Sequence, residues 1–121
     1  MKQGKPLDYR LKRSEDFDRV FKKGTRVFSN SLTLIYLSAD SLKVGYAVGK
    51  KHGGSVKRNR IKRLLRESFR SYLPRLNNRF FFVFIPKVKE EYTLKSFQGD
   101  MGYLLKKAGM FSNEKNRDTS H

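Results

Sequence analysis

VKRNRIKRLLRESFR, residues 56–70, carries seven Lys or Arg against one acid, Glu67, and still keeps a helical apolar pattern. At about 100° per residue, Ile61, Leu64, Leu65, Ser68, Phe69 and Tyr72 fall within one arc. Asn59, Arg63, Arg66 and Arg70 fall on the opposite side, with Arg60 and Lys62 at its flanks. The first group is the buried stripe of an amphipathic helix. The second is a row of guanidinium groups standing clear of the core. Ser55 is the expected N-cap. Pro74 is the expected stop, because proline disfavours helical geometry in the residue before it. A solvated charged face ordinarily mixes signs in i,i+4 pairs, and seven cations against Glu67 alone are not self-complementary. The helix is therefore expected to pack on a domain with one side and offer the other to a polyanion. Arginine suits that role. Its planar fork holds two phosphate oxygens at once and stacks on bases, whereas lysine is a point charge. Asn59 adds an amide that both donates and accepts.

The flanking segments set the fold. Upstream, Ser31 to Ser38 is rich in strand formers, Ala39-Asp40-Ser41 marks a tight turn, and Leu42 to Gly49 follows as a second strand. The two are expected to form a hairpin. Downstream, Phe80 to Ile85 reads as a buried strand ended by Pro86. Strands before and after the basic helix imply a parallel pair joined by a crossover. Near the start, Ser14 is the expected N-cap of a first helix. Glu15, Asp16 and Asp18 lie in its first turn, Lys22 and Lys23 in its last, and Gly24 just beyond. That is the charge order the helix dipole favours. From Thr93 a last helix carries Leu94, Phe97, Met101, Leu104 and Leu105 at helical spacing, weakened by Gly99 and Gly102. A short strand at Val27–Phe28 completes the sheet. The expectation is a small two-layer α+β sandwich, with an about four-stranded mixed sheet and helices on one face. Residues 1–111 form one domain with a basic N-terminal arm, pinned by Leu7, Tyr9 and Leu11. Residues 112–121 are expected to be a polar, disordered tail.

Composition narrows the function classes. The chain has 121 residues and a formal charge of +17, from 28 basic and 11 acidic side chains. That length suits one domain. Such self-repulsion costs stability unless a polyanion offsets it, which points to nucleic acid first and an anionic membrane surface second. Cysteine is absent, so no disulfide or thiolate metal site exists, and a reducing cytoplasm fits. MKQGKP holds no apolar run to serve as a signal peptide. The longest apolar run, Phe80 to Ile85, is too short to span a bilayer.

No catalytic set stands out. His121 lies in the tail, and His52, between Lys51 and Gly53-Gly54, reads as an RNA contact or a solvated residue. Asp16 and Asp18 read as partners of the helix dipole; helping to hold a phosphate-bridged magnesium ion is the weaker alternative. Gly53-Gly54 lacks the spacing of a phosphate loop and reads as a flexible turn. Phe17 and Phe21 are one helical turn apart, and Tyr36 and Tyr46 sit on the two central strands. Exposed beside cations, such rings form a stacking platform worth roughly 1–3 kcal/mol per base. The alternative puts Phe17 and Phe21 in the core. Tyr46 and Phe80 to Phe84 read as core in alternation.

Arg58-Asn59-Arg60-Ile61-Lys62-Arg63-Leu64 resembles the RNR helix of the protein subunit of bacterial ribonuclease P. Lys43-Val44-Gly45-Tyr46-Ala47-Val48-Gly49-Lys50-Lys51 looks like that family's strand leading into it. Ser14-Glu15-Asp16-Phe17, with Val20, Phe21 and Gly24, looks like its first helix and turn. The resemblance implies an α/β sandwich whose crossover is left-handed, against the usual rule. It implies a subunit of a ribonucleoprotein endoribonuclease whose catalytic RNA removes the 5′ leader of precursor tRNA. The protein, in one copy per RNA, would bind that RNA and the leader and lower the magnesium requirement, with no catalytic residue or metal of its own. By the same resemblance Lys50, Lys51, Arg58, Asn59, Arg60, Lys62, Arg63, Arg66 and Arg70 face RNA. Phe17 and Phe21 line the leader cleft, with Tyr36 as the sheet tyrosine that joins them. A one-residue shift of register would leave Ile35 there instead. Gly49, His52 and Ser55 depart from the family's usual Ser, apolar residue and Ala. The rivals are a ribosomal or general RNA-binding protein, a protein nuclease, and a membrane-surface protein.

Overall fold

Phe80–Pro86 is the most apolar segment of the chain and takes an interior place in the sheet. The computed structural model describes residues 9–112. In chain order it holds α1 (Ser14–Lys23), β1 (Thr25–Phe28), β2 (Leu32–Ser38), β3 (Lys43–Tyr46), α2 (Ser55–Arg70), β4 (Phe80–Pro86) and α3 (Leu94–Lys107). The four strands lie in the order β1-β2-β4-β3. β1 and β4 both run antiparallel to β2, and β3 runs parallel to β4. The expected crossover is present as β3–α2–β4. The short strand foreseen at Val27–Phe28 is β1, begun two residues earlier at Thr25.

The expected hairpin of β2 on β3 does not form. β4 lies between them, with Tyr36 and Val44 both opposite Phe82. The Ala39 N–H already donates to the Arg79 carbonyl at the entry to β4, 2.9 Å away. The physical reason is burial. A strand of consecutive large apolar residues gains most with neighbours on both edges and layers on both faces.

The helices also divide differently from expectation. α2 and α3 pack on one face: Ile61, Leu65, Phe69, Phe97, Met101 and Leu104 meet Leu32, Leu34, Phe82 and Phe84. α1 packs on the other, where Val20 meets Ile35, Phe81 and Val83, with Leu11 beside them. Phe81 to Phe84 are therefore buried on alternating sides. The arm is pinned as foreseen for Tyr9 and Leu11. The Leu11 N–H donates to the Val44 carbonyl and the Val44 N–H to the Tyr9 carbonyl, at 2.9 and 2.7 Å. Leu7 and residues 113–121, His121 among them, lie outside the described residues.

Two caps shift by one residue. Ser14 and Ser55 are the first helical residues, after Arg13 and Gly54, and neither preceding cap makes a side-chain bond. Before α2, Gly53 has φ +125°, a backbone state that suits glycine, and the helix starts two residues on. α3 starts as expected, with the Thr93 side chain accepting from the Ser96 N–H at 3.1 Å. Its Gly102 is a notch: a Cβ there would stand 2.4 Å from the Tyr72 hydroxyl, which donates to the Gln98 carbonyl.

Candidate nucleic-acid interface

α2 presents its cations much as the helical wheel foretells. Ile61, Leu65, Ser68 and Phe69 are buried and Leu64 half-buried, while Asn59, Arg60, Arg63, Arg66 and Arg70 are exposed. Lys62 and Arg58 are half-buried. Arg58 lies at the margin of the apolar stripe, and its Nε is covered without a hydrogen-bond partner. Among the described residues, no ion pair or side-chain hydrogen bond engages Arg58, Arg60, Lys62, Arg63, Arg66 or Arg70. Arg66 and Arg70 flank Tyr46 on β3. Burial pushes the Tyr46 hydroxyl above the ordinary phenol range, and the two guanidinium charges pull against that shift. This face thus carries positive charge that no described ion pair compensates.

Lys50 and Lys51 are exposed on a single helical turn, Lys50–His52, between β3 and α2. His52 is not the solvated or RNA-facing residue expected from sequence. It is 2% exposed. Its Nδ1 accepts from the Gly49 N–H at 3.1 Å and its Nε2–H donates to the Pro86 carbonyl at 2.7 Å. The ring ties the lysine turn to the end of β4, so its role is positioning.

The opposite face of the sheet holds a cleft. Side chains on that face fall in rows across the strands. One row is Leu37, Phe81 and Lys43; the next is Arg26, Ile35, Val83 and Gly45; the third is Phe28, Thr33 and Ile85. Ala47 joins the third row, its N–H bonded to the Phe84 carbonyl. α1 lies over the first two rows. Its Arg19 stands over the Phe81 ring at 5.9 Å, and its Phe17 ring covers Gly45, where a Cβ would sit 2.4 Å from the ring. At the far end of α1, a Cβ on Gly24 would meet Ile35 at 2.6 Å. Gly24 is therefore required by close approach, and the helix ends there without a left-handed turn. Phe17 and Phe21 stack with centroids 6.5 Å apart and stay half-buried. They form the wall of a cleft whose floor is the third row.

Tyr36 does not join them. It pairs with Phe82 in register, packs toward the α2/α3 core and meets Phe80 edge-on at 6.1 Å. The alternative register holds instead, and Ile35 faces α1. The residue missed by sequence reasoning is Phe28, on the cleft face and 56% exposed. Alternation with Val27, an apolar residue of the opposite core, was the signal available for it.

Asp16 lies 4.0 Å from Arg19. Among the described residues, no three His, Asp or Glu side chains come together as a metal cage, and no helix is long and apolar enough to cross a membrane.

An unpaired basic helix on one face of a small α+β sheet and a half-open aromatic cleft on the other define a nucleic-acid-binding protein. The family model for ribonuclease P matches residues 6–109. The ribonuclease P protein component of Clostridium novyi is 35% identical over 109 residues, covering 85% of this chain and 96% of the relative. That of Clostridium beijerinckii is 38% identical over 124 residues, covering 92% and 97%. The solved ribonuclease P protein of Staphylococcus aureus superposes with a TM-score of 0.77 at 29% identity, over 87% of this chain and 99% of that one. The Thermotoga maritima protein gives 0.73 at 28%, over 81% and 96%. The chain belongs to the ribonuclease P protein family, whose members are RNA-binding subunits of a tRNA-processing endoribonuclease.

Proposed function

We propose that the two faces of the sheet grip two different RNA elements of one ribonucleoprotein. α2 and the Lys50–Lys51 turn bind the catalytic RNA, one protein per RNA. The cleft between α1 and the sheet takes the single-stranded 5′ leader of precursor tRNA. The observation that supports this reading is the separation of chemistries. Bare cations, which suit a folded phosphate backbone, stand on one side, and half-exposed rings, which suit unstacked bases, on the other.

The RNA carries the cleavage step, and the protein's contribution is to bind and orient. Arg60, Arg63, Arg66 and Arg70 neutralise phosphates that would otherwise need counterions. Phe17 and Phe21 hold leader bases by their faces with little sequence preference. Magnesium belongs to the ribonucleoprotein in this reading. The positive charge that the protein supplies lowers the magnesium requirement. A general RNA-binding role would need the cations but not the cleft.

The test is precursor-tRNA cleavage by a bacterial ribonuclease P RNA at low magnesium, with and without this protein. Stimulated release of the 5′ leader, absent with protein alone, is the expected result. Tight RNA binding by well-folded protein without stimulation would return the chain to the general RNA-binding class.

A further inference from the structure

We propose that Phe28 is the third aromatic of the cleft, a stacking position for a leader base at the β1 end of the floor. The proposal rests on reading the cleft as the leader site.

Four observations carry it. Register puts Phe28 opposite Thr33, and Thr33 opposite Ile85, so the ring belongs to the row that α1 leaves uncovered. The ring is 56% exposed and, among the described residues, has no aromatic partner. An exposed phenylalanine on an edge strand gains nothing for the fold, and it gains when a base covers it. Arg26, two residues earlier on the same face, donates from its guanidinium to the Phe21 carbonyl at 3.1 Å. That contact sets a cation between the Phe21 wall and Phe28, where a phosphate linking two stacked bases would lie. Beyond Phe28 the open surface is lined by Asp100 and the exposed Tyr103, both of α3, and the Asp100 carboxylate accepts from the Ser31 N–H and hydroxyl. An acid there repels the next phosphate and marks the end of the path.

The floor from Ala47 to Phe28 crosses three strand spacings, about 14 Å. A leader lying along it enters near the Lys50–Lys51 turn and Phe17, passes Ile85 and Thr33, and leaves at Phe28. Phe28 therefore acts on the distal part of the leader only. A second copy of the chain or an apolar protein segment would cover the ring as well, but neither accounts for Arg26.

The experiment measures binding of precursor tRNAs with leaders of increasing length, and of mature tRNA, to the holoenzyme assembled on a bacterial ribonuclease P RNA. Phe17→Ala, Phe28→Ala and Phe28→Tyr are compared with the parent. Phe28→Ala should melt like the parent, bind mature tRNA and short-leader precursors unchanged, and bind long-leader precursors roughly tenfold more weakly. Phe28→Tyr should restore the loss. If Phe17→Ala weakens precursor binding while Phe28→Ala matches the parent at every length, the Phe28 assignment falls and the cleft reading stands. If neither variant affects precursor over mature tRNA, both fall together. Equal weakening toward mature tRNA would also overturn the assignment, because the contact would then not be with the leader.

Discussion

The two faces of the sheet are built from the same strands, yet one is finished and the other is not. Toward α2 and α3, Leu34, Phe82, Phe84, Leu65, Met101 and Leu104 are fully buried, and the proposed RNA contacts lie outside the core, in charges that no described ion pair engages. Toward α1, one short helix of 10 residues covers two of three rows, and the proposed leader site is the apolar surface left over. The first face separates stability from binding; the second merges them. Substitutions ordered by their cost to the fold should expose that difference.

Gly45→Val strikes the fold and the cleft wall at once. A Cβ at Gly45 would enter the Phe17 ring, with Leu11 at 3.3 Å behind it. Overpacking of this kind costs typically about 1–3 kcal/mol, and here it also displaces the cleft wall. Melting and precursor-over-mature tRNA binding should fall together. A variant that loses stability but keeps leader discrimination would show that the Phe17 ring is not part of the site.

His52→Ala comes next. It strips partners from the Gly49 N–H and from the buried Pro86 carbonyl, and a lost buried hydrogen bond costs roughly 1–3 kcal/mol. The Lys50–Lys51 turn should loosen, so denaturant midpoint and RNA affinity should both drop. His52→Ile, the apolar class expected by family resemblance, fills the space without those bonds and should recover only part. Full recovery of both would make the ring a filler and not a tether.

How far the sequence reached follows the same division. α2 was legible because its code is local: helical period and a run of uncompensated charge are both read within one segment, and only its cap falls one residue earlier, on Gly54. α1 and α3 were legible for the same reason. The strand order was not, because pairing is decided by nonlocal competition, and nothing within Leu32–Ser38 or Lys43–Tyr46 says that Phe80–Pro86 will separate them. One clue was available. The unbroken apolar run of β4 is the mark of a strand covered on both faces, and it already argued against helices on one side alone. His52 was misread because its neighbours, Lys51 and two glycines, look solvent-exposed, while its partner Pro86 is 34 residues away.

Arg63→Ala combined with Arg66→Ala should leave the fold nearly untouched, within about 0.5 kcal/mol, because exposed side chains without partners contribute little. The same pair should weaken RNA binding and reduce the salt slope by roughly 1.5–2, one phosphate per guanidinium. Melting curves and salt-dependent binding read the two quantities separately. An unchanged slope would mean that this side of α2 meets solvent and not RNA.

Tyr36→Phe is the smallest change and the sharpest test of which face is which. Tyr36 and Ile35 are adjacent, so they point to opposite faces, and only one of them can serve the cleft. With Tyr36 over the α2/α3 core beside Phe80, removing its hydroxyl keeps the ring and its packing. Stability, precursor binding and mature-tRNA binding should all stay at parental values. Ile35→Ala should instead open a cavity beneath α1, since Ile35 is fully buried and its Cγ2 lies where a Cβ on Gly24 would fall. It should cost about 2–5 kcal/mol and loosen the cleft wall with it. Leader discrimination lost in Tyr36→Phe and kept in Ile35→Ala would reverse the two faces and place the cleft on the α2 side.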